Sequence, residues 1–403
     1  MSEAVDLFET SLPVGQVGLV ALPGCEALAA KIDFYLSKWR RERNTAHKSN
    51  PNFIGYASDS YLIKAVFPRF ATGEGKCVIE QSVRGFDIYL LCDVFNYGVT
   101  TKMYGQEVLL CPDAHFANIK RAISAIAGKA RRVNVIMPML YEGRQHKRSL
   151  RESLDCAQAL QELVTMGVEN IITFDAHDPR VQNAIPLSGF ENVRPAYQMI
   201  KALHRAEPNL MIDKDHLIVI SPDEGGMNRC IYYATVLEVE LGMFYKRRDY
   251  TQLVDGRNPI IAHEFLGASL EGKDVIVVDD MISSGESMLE VAKKLKDLNA
   301  GRIFICAAFG LFNNGLKKFD EAYEKGEICR IFTTNTVYRP PELLQREWYT
   351  EVDMSKYISY IIDHLNHDLS ISRLLNPADK IETLLIKHNA GRQKGQLTID
   401  DLA

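Results

Sequence analysis

The chain has 403 residues, 46% of them hydrophobic and 25% charged, with a formal net charge of −5. The length suits two domains of ordinary size, and the apolar content excludes a disordered chain. An acidic balance gives no general pull toward nucleic acid or an anionic membrane, and no apolar run nears the roughly 20 residues that span a bilayer, so neither is expected as a partner. The start, Met1 to Val17, carries Glu3, Asp6 and Glu9 without a basic segment, so no secretory signal is expected. Eight scattered cysteines lack zinc spacing and read as reduced core residues of a cytoplasmic protein.

In chain order, Lys38-Trp39-Arg40-Arg41-Glu42-Arg43 sits in a stretch, residues 37–69, that reads as an insertion or irregular segment. The basic cluster reads as a solvated helix end, with an anion site as the alternative. Val133 to Met137 predicts a strand, and Arg144-Gln145-His146-Lys147-Arg148 a loop after it. Ser149 to Met166 predicts a helix closed by Gly167, and Ile171 to Phe174 the next strand, ending in Asp175-Ala176-His177-Asp178. Pro186, Pro195 and Pro208 mark a joint near 186–212. The alternation restarts at Leu217 to Ile220, which leads into Ser221-Pro222-Asp223-Glu224-Gly225-Gly226. Lys246-Arg247-Arg248 follows a strand-like Met243-Phe244-Tyr245. Val275 to Val278 then ends in Asp279-Asp280, and Met288, Leu289, Val291, Ala292, Leu295 and Leu298 set out a helical face. Strands alternating with helices predict two α/β domains, each around a mostly parallel sheet.

The segment Asp279 to Ser287 carries the clearest chemistry. A hydroxyl- and glycine-bearing loop that opens a helix offers free N–H groups and a positive dipole end to a phosphate. Ser284 and Ser287 add hydroxyls, Gly285 permits close backbone approach, and the two carboxylates can hold ribose hydroxyls directly or through magnesium. The bland alternative is an ordinary strand-to-helix turn with solvated carboxylates. His177 alone reads as a structural histidine and Asp223 as a helix cap. Three acidic or imidazole clusters at carboxyl ends of strands instead suggest a site for Mg2+ and phosphate oxygens. The basic runs at Arg144 and Lys246 supply the opposite charge. No phosphate-binding G-x-x-x-x-G-K-[ST] occurs, since Gly73-Glu74-Gly75-Lys76 lacks its spacing, and no G-x-G-x-x-G follows a strand.

The Asp279 loop resembles the phosphoribosyl-pyrophosphate motif of type I phosphoribosyltransferases. Residues 17–375 resemble the ribose-phosphate pyrophosphokinase family through ordered anchors. They are Phe70-Ala71-Thr72-Gly73-Glu74, Ser82-Val83-Arg84-Gly85, Tyr141 to Arg148, Phe174 to His177, Ser221 to Gly226, Lys246-Arg247-Arg248, the Asp279 loop and Thr334-Asn335-Thr336. The resemblance implies two phosphoribosyltransferase-like domains: a lead at 1–16, a first domain at 17–190 containing the 37–69 insertion, a second at 191–370, and an extension at 371–403. It implies transfer of the diphosphoryl group of ATP to C1 of ribose 5-phosphate, with Mg2+ as cofactor. Phe70, Thr72 and Glu74 would then lie at the adenine, across a dimer interface, with Arg144, Gln145 and His146 completing the ATP site. His177 and Asp223 would bind the metal, and Lys246 and Arg248, on a mobile loop, would act on the transferring group. Asp279 and Asp280 would hold the ribose, and Ser283, Ser284, Gly285 and Ser287 its 5-phosphate. A homo-oligomer of dimer units, up to a hexamer, would follow.

The chain departs from the family pattern at Thr72, where Asn or Asp is usual, and at His146, where Asp is usual. It departs most at Ser283-Ser284-Gly285-Glu286-Ser287, against Asp-Thr-x-Gly-Thr. Glu286 facing inward would repel the 5-phosphate, and facing solvent would not. Two other readings stay open on the sequence. One is a phosphoribosyltransferase consuming the pyrophosphate, the other a non-catalytic regulatory homologue.

Overall fold

The structure is a computed structural model that describes residues 8, 11–46, 56–148, 150–248 and 260–394, without the side chains of 246–248, 260–263 and 389–394. The chain divides into two compact units. Unit 1 comprises residues 1–194, 335–338 and 353–376, and unit 2 comprises 195–334, 339–352 and 377–403. The first crossing falls within the proline-marked joint. The linear division into 191–370 and 371–403 is not followed, because residues 353–376 return to unit 1 and the last helix belongs to unit 2.

Unit 1 is built on a five-stranded parallel sheet of order β1-β4-β7-β8-β9. Its strands are β1 (Gln16–Ala21), β4 (Phe86–Leu91), β7 (Arg132–Ile136), β8 (Asn170–Phe174) and β9 (Gly189–Val193). Two hairpins project from it: β2 (Ala65–Val66) with β3 (Val78–Ile79), and β5 (Thr100–Met103) with β6 (Gln106–Leu109). Helices α1 (Glu26–Ala46), α2 (Pro112–Ile126) and α3 (Asp155–Thr165) belong to the same unit. Strands such as β4 are apolar almost throughout and buried on both faces, as parallel sheets require.

Residues 37–46, expected to be irregular, continue α1, whose buried positions Leu28, Ile32, Leu36 and Arg40 recur every four residues. Helix α3 starts at Asp155, not Ser149. Leu150, expected on its buried face, is 81% exposed, and residues 150–154 form a loop whose Ser153 carbonyl accepts from Gln145 Nε2 at 2.9 Å.

Unit 2 contains a seven-stranded sheet of order β12-β11-β10-β13-β14-β15-β16, parallel except for β11 against β12. The strands are β10 (Leu217–Ser221), β11 (Glu240–Arg248), β12 (Ile260–Leu266), β13 (Asp274–Ile282), β14 (Ile303–Gly310), β15 (Arg330–Thr334) and β16 (Tyr349–Val352). Helices α4 (Ala196–Ala206), α5 (Met227–Leu237), α6 (Glu286–Asp297) and α7 (Lys317–Glu324) accompany them. Its core joins Val275 and Val277 of β13 to Val291 and Leu295 of α6, with Phe319 and Trp348 beyond. Leu298, expected on the helical face, is instead the C-terminal cap of α6 and is 42% exposed.

Two later helices, α8 (Ser355–Asn366) and α9 (Ser372–Leu375), return to unit 1, and α10 (Ala378–Lys394) closes unit 2. The return of α8 explains the basic cluster on α1. Arg40, 1% exposed, donates from Nε to Asp363 Oδ1 at 2.9 Å and from Nη2 to Asn366 Oδ1 at 2.7 Å, while Arg43 also pairs with Asp363. Burial alone would push the Asp363 carboxyl up, yet the charges of Arg40 and Arg43 hold it below the ordinary range. The cluster is therefore divided: Lys38, Arg41 and Glu42 are exposed, as a solvated helix face would be, whereas Arg40 and Arg43 form an ion-pair joint between α1 and α8 and leave no open anion site at Arg40.

Candidate active site

In unit 2 the chemistry-bearing residues gather at the carboxyl ends of β10 and β13 and the helices that follow. After Ser221 the chain turns through Pro222 to Asp223, whose Oδ1 accepts from Gly225 N at 3.0 Å and Gly226 N at 3.3 Å. Asp223 Oδ1 thus closes the turn ahead of α5, whose N-cap is Gly226 without a side-chain acceptor, so Asp223 is not the helix cap that its place in the sequence suggested, and it remains partly exposed.

The Asp279 and Asp280 pair does not lie past the strand end, as the sequence suggested. β13 runs on to Ile282 because β14 keeps pairing with it, Asp279 opposite Ala307 and Ile282 opposite Gly310. Asp280 N donates to Asp279 Oδ1 at 2.8 Å. Burial pushes the Asp279 carboxyl well above the ordinary carboxylate range, and the charge and hydrogen bond of Asp280 add to this, while Arg229 opposes it. Arg229 Nη1 lies 3.7 Å from Asp279 Oδ1. Two crowded carboxyls of this kind favour hydroxyl donors or a cation.

The loop after β13 has the backbone geometry of a tight turn into a helix start. Gly285 has φ +79° and caps α6, and a Cβ there would stand 2.0 Å from Phe319 Cζ, so the position requires glycine twice over. The cap offers no side-chain acceptor, so the first-turn N–H groups of residues 286–288 keep no intrahelical partner. Ser284 Oγ is 3.5 Å from Glu286 N, at the limit of hydrogen bonding. Ser283 Oγ accepts from Asn313 Nδ2 at 3.1 Å, and Ser287 is exposed on the first turn. Glu286 turns outward, its Oε1 2.6 Å from Lys318 Nζ.

Lys246 and Arg248 do not lie past a strand. Their backbone belongs to β11, Lys246 paired with His263 and Arg248 with Ile260, and their side chains lie outside the described residues. The mobile loop expected to carry Lys246 and Arg248 is thus a strand as far as Arg248, and residues 249–259 beyond it lie outside the described residues.

In unit 1 the hairpin of β2 and β3 carries Phe70 to Glu74 as a tight turn. Phe70 N donates to Glu74 O at 2.8 Å, Gly73 N to Phe70 O at 2.9 Å, and Thr72 Oγ1 to Glu74 Oε2 at 2.6 Å. Phe70 is 56% exposed, a large apolar ring presented on a fixed turn. Beyond β7, Arg144 is exposed and Gln145 is tied to Ser153 O. His146 Nε2 stands 3.3 Å from Asp178 Oδ2, and its ring lies 5.5 Å from that of His177, which is exposed after β8. Hydrogen bonds from Arg180 hold the Asp178 carboxyl at about 2, with His146 helping.

Among the described residues no group of three or more His, Cys, Asp or Glu side chains is arranged to enclose a metal. Magnesium takes one or two carboxylates and otherwise waters and substrate phosphates. The oxygen donors of Asp223, Asp279 and Asp280 suit it.

Sequence reading missed Arg229, Asn313 and Lys318. Arg229 left a signal: a cation in the first turn of a helix opposes the dipole unless a carboxylate faces it. Asn313 and Lys318 left none, since their contacts depend on how α7 folds back on the loop. Cys111 is exposed, an exception to the expected core role of the cysteines.

A strand–loop–helix anion seat with a carboxyl pair on a parallel sheet defines a phosphoribosyltransferase-type protein. The phosphoribosyl transferase domain matches residues 193–346, and the N-terminal domain of ribose phosphate pyrophosphokinase matches residues 18–167. The chain belongs to the ribose-phosphate pyrophosphokinase family. It is 27% identical over 340 residues to the ribose-phosphate pyrophosphokinase of Shewanella oneidensis, covering 82% of this chain and 98% of that protein. To ribose-phosphate pyrophosphokinase 1 of Listeria monocytogenes it is 25% identical over 319 residues, 78% of this chain and 89% of that one. Its fold resembles the phosphoribosylpyrophosphate synthetase of Mycobacterium smegmatis, with TM-score 0.68, 19% identity and coverage of 87% and 98%.

Proposed function

We propose that the protein transfers the β,γ-diphosphoryl group of ATP to the C1 hydroxyl of ribose 5-phosphate, yielding phosphoribosyl pyrophosphate and AMP. The observation that carries this reading is the open anion seat at α6 beside the Asp279 and Asp280 carboxyls, in a chain that also presents the Phe70 to Glu74 turn. A phosphoribosyltransferase has no use for that turn. The pairing of Glu286 with Lys318 speaks against repulsion of the phosphate by that side chain, one of the loop departures behind the reading of a non-catalytic homologue.

In this reading the N–H groups of residues 286–288, with Ser283, Ser284 and Ser287, receive the 5-phosphate, and Gly285 lets them approach. Asp279 and Asp280 hold the ribose hydroxyls and so orient C1. Phe70 stacks on adenine, Thr72 and Glu74 fix its edge, and Arg144, Gln145 and His146 serve the rest of the nucleotide. The C1 oxygen attacks the β phosphorus, losing its proton, as the bond from that phosphorus to the α-bridging oxygen breaks and AMP departs. No covalent intermediate is needed. Positioning and charge neutralisation suffice, and Lys246 and Arg248 provide the latter. Asp223 and His177 would each serve as a magnesium ligand, and the ion would supply neutralisation of phosphoryl oxygens when bound. A homo-oligomer of dimers would give the exposed Phe70 turn its partner surface.

The test mixes purified protein with Mg2+, ATP and ribose 5-phosphate and follows AMP by chromatography. AMP formed only when ribose 5-phosphate is present supports the reading. Nucleotide binding without AMP returns the weight to a regulatory homologue.

A further inference from the structure

Glu286 is the first residue of α6, and a carboxylate in a helix's first turn is drawn to the same unsatisfied N–H groups that a phosphate would use. Left free, this side chain is a tethered competitor for the anion seat and a repulsive neighbour of any phosphate in it. It is not left free. Lys318 Nζ holds Glu286 Oε1 at 2.6 Å, from the first turn of α7.

Both side chains are 57% exposed, and an ion pair so exposed contributes little to global stability. Its effect is local, on where the carboxylate points. The segment that carries Lys318 grips the loop elsewhere as well. Asn313 N donates to Ser283 O at 3.0 Å, Asn313 Nδ2 donates to Ser283 Oγ, and the buried Phe319 ring fills the space beside Gly285. The ammonium is therefore delivered from a fixed support against a loop of fixed shape.

We propose that Lys318 is a positioning residue for the phosphate loop, holding the Glu286 carboxylate off the α6 N-terminus so that the seat is open to a phosphate monoester. The inference rests on the ribose 5-phosphate reading above and explains how a chain with Glu286 in this loop keeps its anion site. Lys318 acts through Glu286, without touching substrate.

The test is calorimetric titration of the full-length protein with ribose 5-phosphate, and separately with inorganic phosphate, for Lys318→Met and for Lys318→Met combined with Glu286→Gln. Lys318→Met is expected to weaken binding about three- to tenfold, the scale of one carboxylate's effect at a helix N-terminus plus its repulsion of the ligand. KM for ribose 5-phosphate should rise while kcat at saturation stays, and the melting temperature should stay within about 2 °C. Adding Glu286→Gln should restore parental affinity. Unchanged affinity in Lys318→Met overturns the proposal. So does a loss that persists in the double variant, since Lys318 would then meet the phosphate itself. If the parent binds inorganic phosphate but not ribose 5-phosphate, the substrate reading falls, and the Lys318 dependence read with phosphate still decides this inference. Binding of neither overturns both.

Discussion

Replacing Gly285 with alanine probes the loop at the point where geometry is least forgiving. The backbone there has φ +79°, and an L side chain in that region costs roughly 1–2 kcal/mol. The added methyl would also stand 2.0 Å from Phe319 Cζ, where carbon contacts ordinarily lie near 3.5–4.0 Å. Phe319 cannot retreat easily. Its ring is fully buried, 5.0 Å from the Phe312 centroid and 5.7 Å from that of Trp348. Overpacking of that kind costs about 1–3 kcal/mol, so Gly285→Ala should lose about 2–5 kcal/mol. In a unit of this size that lowers the melting temperature by about 4–20 °C. Urea denaturation followed by circular dichroism measures the loss, and ribose 5-phosphate titration should show binding weakened at least tenfold. An alanine variant within about 0.5 kcal/mol of the parent, with unaltered affinity, would refute the argument that this turn is tailored to glycine.

Lys246→Ala and Arg248→Ala should each lower kcat by about 10²–10³-fold while leaving ribose 5-phosphate affinity within about twofold, as transition-state charge stabilisation requires. Equal losses in binding and turnover would contradict that role. Asp279→Asn should stabilise the ligand-free protein at neutral pH while weakening ribose 5-phosphate binding. The raised carboxyl favours folding fully below pH 3.8 and loses that contribution as pH rises through its folded value. Melting curves at acid and neutral pH would show the variant's gain growing toward neutrality, and a gain confined to acid would be inconsistent. Arg40→Ala should cost about 3–5 kcal/mol by stranding the buried Asp363, a loss to be read by denaturation. A change below about 1 kcal/mol would mean that Arg43 alone suffices.

The parallel-sheet strands were legible because apolar runs such as Val275 to Val278 are buried on both faces and bounded by polar turns. The start of α3 was not. Leu150 fits the helical repeat, yet Gln145 bonds the Ser153 carbonyl and keeps that segment in a loop, a contact periodicity cannot register. The end of β13 was misplaced for a related reason: charged residues usually stop a buried strand, but pairing with β14 carries the backbone on through Asp279 and Asp280. Arg40 is the sharpest case. A basic run reads as solvated, and only the distant Asp363 and Asn366 show why Arg40 turns inward. At the candidate site the hydroxyl–glycine turn into α6 could be read from spacing alone, because a helix start leaves N–H groups without intrahelical partners whatever surrounds it. The orientation of Glu286 could not, since Lys318 is far off in sequence and meets it only when α7 packs on the loop.

Following ATP labelled at its β phosphorus through a reaction with ribose 5-phosphate and Mg2+ tests diphosphoryl transfer most directly. The account predicts that the β and γ phosphorus atoms move together into a pyrophosphate ester at C1, leaving unlabelled AMP. Label retained in ADP, with a single phosphoryl group moved, or no transfer at all, would contradict it.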